Sequence, residues 1–526
     1  MHSTIDDLTD PHDKRLIADQ LGYWGVFLAL VALSGCITRE DARDAEEPNA
    51  VFAKESRENA PQELPELWYI NYVLGERVGY ERQCFTRVTE NGRQLRKTTG
   101  ESRLRVKRSN AVVEMVIRHT CWETFDGRPV RFEVETNQGG SLTRTEGRVD
   151  NGQLLVTIQV AGRTLEQVLP CPADCRGFLG LQQSLFENRM RPGERRQLTI
   201  LVPGLNDIAT VVLAADEHEA VQVGQRTIQC LLIHFTMTLR SGSVFRGRLW
   251  ADDRGIITKQ ETDSPQMTTI LASRDEALQE PHDPALDLVR DIRVPVKPPP
   301  SDPEHALQAV YRMSSNTEDL GKLIPSDEHQ TVKSLGDRTV ELCVHPPRFP
   351  PVGPISSETA DSSATEASIW IQSDAPDIIQ MAELAAAGQS EWRDVVPALC
   401  RFVYRTVRNK GYDHAFLSAL EVAQQKEGDC TEHAVFLAAL ARARGIPARV
   451  AVGLVFRDNA FYYHMWTEVF VNGCWVGFDA TRERGVVTPG YIKLGQDSLG
   501  TADGLGVFLP AMRLVGQIKI ECVSVE

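Results

Sequence analysis

The fold of the C-terminal region can be argued from one stretch, Gly428-Asp429-Cys430-Thr431-Glu432-His433. Asp429 suits the N-cap of a helix, and Glu432 stands three residues later, as in a capping box. The apolar run 434–440 continues the helix, and Gly445 ends it. Cys430 is therefore expected on the first turn, where the positive end of the helix dipole stabilises a thiolate, the nucleophilic form of cysteine.

Strands that follow this helix are predicted to form a hairpin. The runs 461–471 and 474–479 are joined by Asn472-Gly473, a dipeptide that favours a two-residue type I′ turn. That turn makes Asp479 the diagonal neighbour of His464 on one face, within roughly 7–8 Å at the backbone. The hairpin register alone therefore predicts a contact between His464 and Asp479.

Three side chains in this region suit nucleophilic catalysis, provided that the Cys430 helix packs on the His464 face of the sheet. A cysteine nucleophile needs a base within hydrogen-bond reach and a third group that orients the base. Cys430 is the candidate nucleophile, His464 the base and Asp479 the group that orients it. His433 lies one helical turn from Cys430 and is a second candidate base, but no carboxylate is placed to orient it.

Four sequence blocks in this order resemble the bacterial transglutaminase-like superfamily: 428–434, 444–450, 464–469 and 475–481. The resemblance spans about residues 368–495, with a possible closing strand at 516–525. It implies a papain-like α+β core with a Cys-His-Asp triad in this chain order, carried here by Cys430, His464 and Asp479. Ala480 departs from the family, which usually has proline there. No acidic cluster resembles the calcium sites of animal transglutaminases, so neither a metal nor a cofactor is expected.

The sequence pattern of the N-terminus is typical of an export signal. The apolar run 21–33 leads into Leu33-Ser34-Gly35-Cys36, which resembles a bacterial lipobox. The resemblance implies that Cys36 receives lipid and becomes the first mature residue. The preceding segment 1–20 is acidic where a basic region is expected, so an uncleaved membrane anchor is the alternative. Both interpretations place the chain in the bacterial cell envelope, facing the periplasm or the exterior.

The organisation predicted for the whole chain is multidomain, with a β-rich antiparallel N-terminal region followed by the α+β core. Short alternating apolar runs with Asn-Gly and Asp-Gly turns indicate an antiparallel meander, interrupted by one helix at about 179–190. The predicted units are a signal peptide with lipobox at 1–36, a disordered tether at 37–64, the β-rich domain at 65–292, a linker with a small β subdomain at 293–367, and the transglutaminase-like domain at 368–526.

Composition narrows the possible partners. The chain has 526 residues, with 57 basic and 72 acidic side chains, which give a net charge of −15 and argue against nucleic acid as a partner. Among its 11 cysteines, Cys171 and Cys175 either form a local disulfide or are two separate buried thiols. The expected partners are a protein or peptide substrate and a membrane reached through the N-terminal lipid.

Two functions from different classes fit these observations. The first is cysteine-dependent acyl transfer on peptide or amide bonds through a thioester at Cys430, as in a protease, an amidase or a transglutaminase. The second is a non-catalytic envelope scaffold or binding lipoprotein whose transglutaminase-like core is a relic. The reactivity of the Cys430 thiol separates the two, because only the first needs an activated thiolate.

Overall fold

A computed structural model describes residues 64–526 except 109–110, 139–140, 161, 203, 280–282, 349–360, 409–415, 484 and 501–505. The predicted signal peptide with Cys36, and residues 37–63 of the predicted tether, lie outside the described residues. Within the described part of the chain, no helix is both long and apolar enough to cross a membrane.

The β-rich region forms one sheet of fifteen strands. In chain order they are β1 (Leu67–Val73), β2 (Glu76–Glu90), β3 (Arg93–Arg108), β4 (Ala111–Glu123), β5 (Pro129–Gln138), β6 (Ser141–Asp150), β7 (Gln153–Val160), β8 (Arg163–Pro170), β9 (Cys175–Arg176), β10 (Arg195–Val202), β11 (Asp207–Val223), β12 (Arg226–Leu239), β13 (Val244–Ala251), β14 (Ile257–Thr262) and β15 (Met267–Ala272). Two antiparallel meanders, β1 to β8 and β10 to β15, meet where β1 pairs with β15, and the two-residue strand β9 is added to β10 in parallel. This arrangement confirms the predicted β-rich antiparallel region.

Alternation of buried and exposed side chains explains why these segments are strands. In β1 the pattern alternates strictly between buried and half-buried positions, as expected for a strand with one face on the core. Asn91-Gly92 and Asn151-Gly152 both have positive φ at the two turn positions, which is the type I′ geometry that such dipeptides favour. Helix α1 (Gly180–Glu187) lies within the helix predicted at 179–190.

A second sheet has four strands, of which three precede the C-terminal core in sequence and one follows it. Its strands are β17 (Ala309–Ser315), β18 (Gln330–Gly336), β19 (Thr339–Val344) and β24 (Ile518–Val525), in the order β18-β19-β17-β24. The strand expected near 516–525 therefore pairs with β17 of the small β subdomain, and its Ile520 also forms an isolated parallel bridge with Val296, which follows β16. The short helix α2 (Arg274–Leu278) contacts β1 and β2 of the large sheet, and α3 (Leu320–Leu323) connects β17 to β18.

The C-terminal core combines helices with a five-stranded sheet. The helices are α4 (Pro376–Ala385), α5 (Trp392–Thr406), α6 (Ala419–Gln425), α7 (Cys430–Ala443) and α8 (Leu509–Met512). The strands are β16 (Val294–Pro295), β20 (Ala448–Arg457), β21 (Ala460–Val471), β22 (Cys474–Phe478) and β23 (Tyr491–Asp497), with β16-β21-β20-β23 in order and β22 on β21. The start of the proline-rich linker thus supplies an edge strand of the core.

Candidate active site

Cys430 is the first residue of α7, and a complete capping box fixes it there. The Asp429 carboxylate accepts a hydrogen bond from the main-chain N–H of Thr431 at 2.7 Å, and the Asp429 N–H donates to Glu432 at 2.9 Å. Gly428 precedes the cap with a φ of +144°, and a Cβ at this position would lie 2.3 Å from the Cβ of Glu432. The glycine is therefore required by the close approach of the capping glutamate to the main chain.

His464 and Asp479 meet as the hairpin register predicts. Asn472-Gly473 forms the two-residue turn between β21 and β22, and Val471 pairs with Cys474. His464 lies in β21, Asp479 follows the last residue of β22, and His464 Nε2 is 2.8 Å from Asp479 Oδ2. Both side chains are at most 2% exposed.

Cys430 reaches this pair from the end of its helix. Thr467 donates a hydrogen bond to the carbonyl of Ala434 at 2.8 Å, so the body of α7 packs on the face of β21 that carries Thr467. Because side chains alternate along a strand, His464 is on the other face, so the body of α7 does not cover the His464 face. The Cys430 thiol instead lies at the level of the strand itself, where the N–H of Met465 donates to its Sγ at 3.4 Å.

The electrostatics of the site favour a protonated imidazole. Burial lowers the pKa of His464, but the negative charges of Asp479 and Cys430 outweigh it and raise this pKa to about 10. Burial would raise the pKa of Asp479, yet the charge of His464 and its hydrogen bond hold it below the ordinary value. Asp479 and the adjacent Cys430 therefore favour a charged imidazolium at His464.

Two further residues hold Asp479, and the sequence analysis did not identify them. The Tyr491 hydroxyl donates to Asp479 Oδ2 at 2.7 Å, while the N–H and hydroxyl of Thr481 donate to Oδ1 at 2.9 and 2.6 Å. Burial and the charge of Asp479 raise the pKa of Tyr491 well above its ordinary value, so the phenol keeps its proton as a donor. Thr481 belongs to the 475–481 block and could have been found there, whereas Tyr491 begins a strand outside the four blocks, where no local pattern links it to Asp479.

Trp466, two residues after His464 in β21, packs beside Tyr491. Its ring lies 5.5 Å from the ring of Tyr491 in an edge-to-face arrangement. Both belong to a small apolar cluster with Ala451, Val455 and Val487, separate from the main core. Trp466 therefore supports the ring that donates to the Asp479 carboxylate.

The other residues considered from sequence take local roles. His433 Nδ1 contacts the carbonyl oxygen of Asp429, within the helix cap. The connection between β20 and β21 is a two-residue turn with positive φ at Asp458 and Asn459. Cys171 and Cys175 are buried free thiols in the structure. Among the described residues, no group of three or more histidine, cysteine or acidic side chains could hold a metal ion.

Comparison with known proteins identifies the C-terminal region. A model of the transglutaminase-like superfamily matches residues 380–480, a range that contains Cys430, His464 and Asp479. No curated protein sequence matches the chain significantly.

Solved structures similar to parts of this chain include three bacterial proteins. A putative cysteine protease from Cytophaga hutchinsonii is 19% identical with a TM-score of 0.29, and the match covers 41% of this chain and 86% of that one. The hypothetical lipoprotein YmcC from Escherichia coli is 13% identical with a TM-score of 0.18, covering 41% and 90%. A putative protease from Parabacteroides distasonis is 10% identical with a TM-score of 0.18, covering 68% of each chain. On the family match, this multidomain chain carries a transglutaminase-like superfamily domain in its C-terminal region, at residues 380–480.

Proposed function

We propose that this protein is a cysteine-dependent enzyme that transfers acyl groups from peptide or amide bonds through a thioester at Cys430. The observation that carries the proposal is the buried pair of His464 and Asp479, whose side chains are 2.8 Å apart beside the thiol at the start of α7. A lone buried cysteine would be a structural thiol, but a base with its own orienting carboxylate is the arrangement that activates a nucleophile.

The proposed first step is acylation of Cys430. Its thiolate attacks the substrate carbonyl carbon, and the first turn of α7 stabilises the negative charge that develops on the carbonyl oxygen. When the C–N bond breaks, the His464 imidazolium gives its proton to the departing amine. Asp479, held by Tyr491 and Thr481, keeps the ring oriented with Nε2 toward the carboxylate, so that Nδ1 is the ring atom that exchanges protons.

The second step releases the acyl group. His464, now neutral, takes a proton from the acceptor as the acceptor attacks the thioester, and the Cys430 thiolate leaves. Water as the acceptor gives hydrolysis of a peptide or amide, and a primary amine gives cross-linking. We assign hydrolysis as the principal reaction, because water is the most abundant acceptor in the envelope compartment that the N-terminal sequence indicates.

The location proposed for the enzyme follows from its N-terminal sequence. The apolar run 21–33 and Leu33-Ser34-Gly35-Cys36 indicate export and lipid attachment at Cys36. The charged segment 37–64 would then separate the folded region from the membrane surface. The protein substrate is thus expected in the bacterial cell envelope.

A single assay distinguishes the reactions. A peptide library that contains glutamine is offered with and without a primary amine, and the products are identified by mass spectrometry. Chain cleavage indicates a peptidase, ammonia release with conversion of glutamine to glutamate an amidase, and ammonia release with amine incorporation a transglutaminase. Cys430→Ala should abolish every product, and Cys84→Ala, which removes a half-buried thiol of β2, should retain them. Products that persist in Cys430→Ala would refute the proposal.

A further inference from the structure

One charged side chain of the β-rich region reaches the candidate active site. Arg108 is the last residue of β3, and its Nη2 donates to Asp429 Oδ2 across a separation of 321 residues in sequence. Both side chains are 1% exposed. Asp429 is the N-cap of α7 and precedes Cys430 in the chain, so the large sheet contributes a buried cation to the cap of the helix that carries the candidate nucleophile.

The main chain that carries Arg108 is held on two sides. Arg108 pairs with Ala111 of β4. Its neighbour Lys107 donates from the main chain to Leu286 at 2.8 Å and accepts from Leu288 at 2.9 Å. The Lys107 ammonium also pairs with Asp283 at 2.6 Å. The arginine is thus presented from a fixed support, not from a free loop.

The charged groups around Asp429 indicate the role of Arg108. Oδ1 caps the helix through Thr431, Oδ2 pairs with Arg108, and the carboxylate of Glu432 bonds to the Asp429 N–H. His433 contacts the Asp429 carbonyl oxygen. Without Arg108, the start of α7 would hold two buried carboxylates beside a thiol that must ionise, and negative charge opposes the formation of a thiolate.

We propose that Arg108 is a positioning residue of the acyl-transfer site. It neutralises Asp429, holds the cap of α7 in place, and so keeps Cys430 ionised and aligned with His464. In this arrangement the β-rich region is required for the chemistry of the core. The inference rests on the proposed function, because it assumes that Cys430 is the nucleophile.

The test measures Cys430 ionisation in the full-length protein as a function of pH. The readouts are the ultraviolet absorbance of the thiolate, taken as a difference from Cys430→Ser, and the rate of alkylation by iodoacetamide. Arg108→Ala should lower the alkylation rate near neutral pH by about tenfold or more and move the titration to higher pH, because it leaves a buried carboxylate unpaired beside the thiol.

Two rescue variants separate this role from folding. Arg108→Lys keeps the positive charge, and Arg108→Ala/Asp429→Asn removes both charges while asparagine still caps the helix. Both should recover most of the wild-type titration. Arg163→Ala is the matched control, since Arg163 of β8 also pairs with the C-terminal region, through Asp374 at 2.6 Å, but at the surface. It should titrate as the wild type does.

The outcomes distinguish the two proposals. If the wild-type protein shows no thiolate near neutral pH, the proposed function fails and the role of Arg108 fails with it. If the wild type shows a thiolate and folded Arg108→Ala has the same profile, only the positioning role is refuted. If Arg108→Ala does not fold, the double variant decides: recovery of the wild-type titration supports charge neutralisation, and a titration displaced upward overturns it.

Discussion

Replacement of Asp479 by asparagine should release His464 from the charge that keeps its ring protonated. In the wild-type protein Asp479 accepts hydrogen bonds from His464 and Tyr491 on one oxygen, and from the N–H and hydroxyl of Thr481 on the other. Asparagine has nearly the same shape but no charge, and its amide nitrogen donates where a carboxylate oxygen accepts. The change therefore removes the electrostatic partner of the imidazolium with little loss of volume.

The magnitude follows from the pKa of His464, which is raised from 6.5 to about 10. A pKa raised to that value corresponds to about 5 kcal/mol in favour of the protonated ring. Asp479 supplies more of this than Cys430 does, and burial opposes it. Without the carboxylate, burial should bring the pKa of His464 below neutrality. The rate of peptide hydrolysis should fall by about 10²- to 10⁴-fold, the range expected when a triad loses its carboxylate.

The contribution of His464 and Asp479 to the stability of the folded state depends on pH. The raised pKa of His464 stabilises the folded state fully below pH 6.5, and this contribution is lost as the pH rises toward about 10. The lowered pKa of Asp479 adds stability above its ordinary value of 3.8, which is lost as the pH falls through the folded value. The stability difference between wild type and Asp479→Asn should therefore be largest between about pH 4 and 6.5 and shrink on both sides.

The assay is an NMR titration of carbon-labelled histidine rings, with His464→Gln to assign one resonance among the 12 histidines. Urea unfolding at several pH values measures the stability difference. An imidazole resonance of His464 that titrates at the same pH in the wild type and in Asp479→Asn would refute the electrostatic account of the site.

Three other changes have defined outcomes. Tyr491→Phe removes the hydrogen bond to Asp479 at 2.7 Å and should lower kcat by about tenfold with KM nearly unchanged, since an interaction behind the base acts on the chemical step; an unchanged kcat would contradict a positioning role. Gly428→Ala should lower the free energy of unfolding by about 1–3 kcal/mol, because φ is +144° and the new Cβ would meet Glu432; urea unfolding measures this, and a neutral effect would argue against the close approach. Cys36→Ser should leave the protein without lipid and release it from membranes on fractionation, whereas an unchanged mass would exclude Cys36 as the anchor.

Local sequence determined most of the candidate site. A capping box, a two-residue turn and strand alternation depend on residues close together in the chain, so the start of α7 and the His464–Asp479 contact could be predicted by counting along it. The antiparallel meander of the β-rich region could be predicted for the same reason, because consecutive strands pair through short turns.

Tertiary structure decided what depends on distant segments. The packing of separate elements determines three features: the face on which α7 lies, the hydrogen bond from Tyr491 to Asp479, and the pairing of strand 518–525 with β17. An apolar pattern in the sequence does not specify which element will be the partner. The contact made by Arg108 also depends on a distant segment. In the sequence, this arginine is one of several basic residues in a predicted β-hairpin. Its charge is buried beside Asp429 only in the folded chain. The two residues of this ion pair are 321 positions apart in sequence, so the pair forms only when the surfaces that carry them come together.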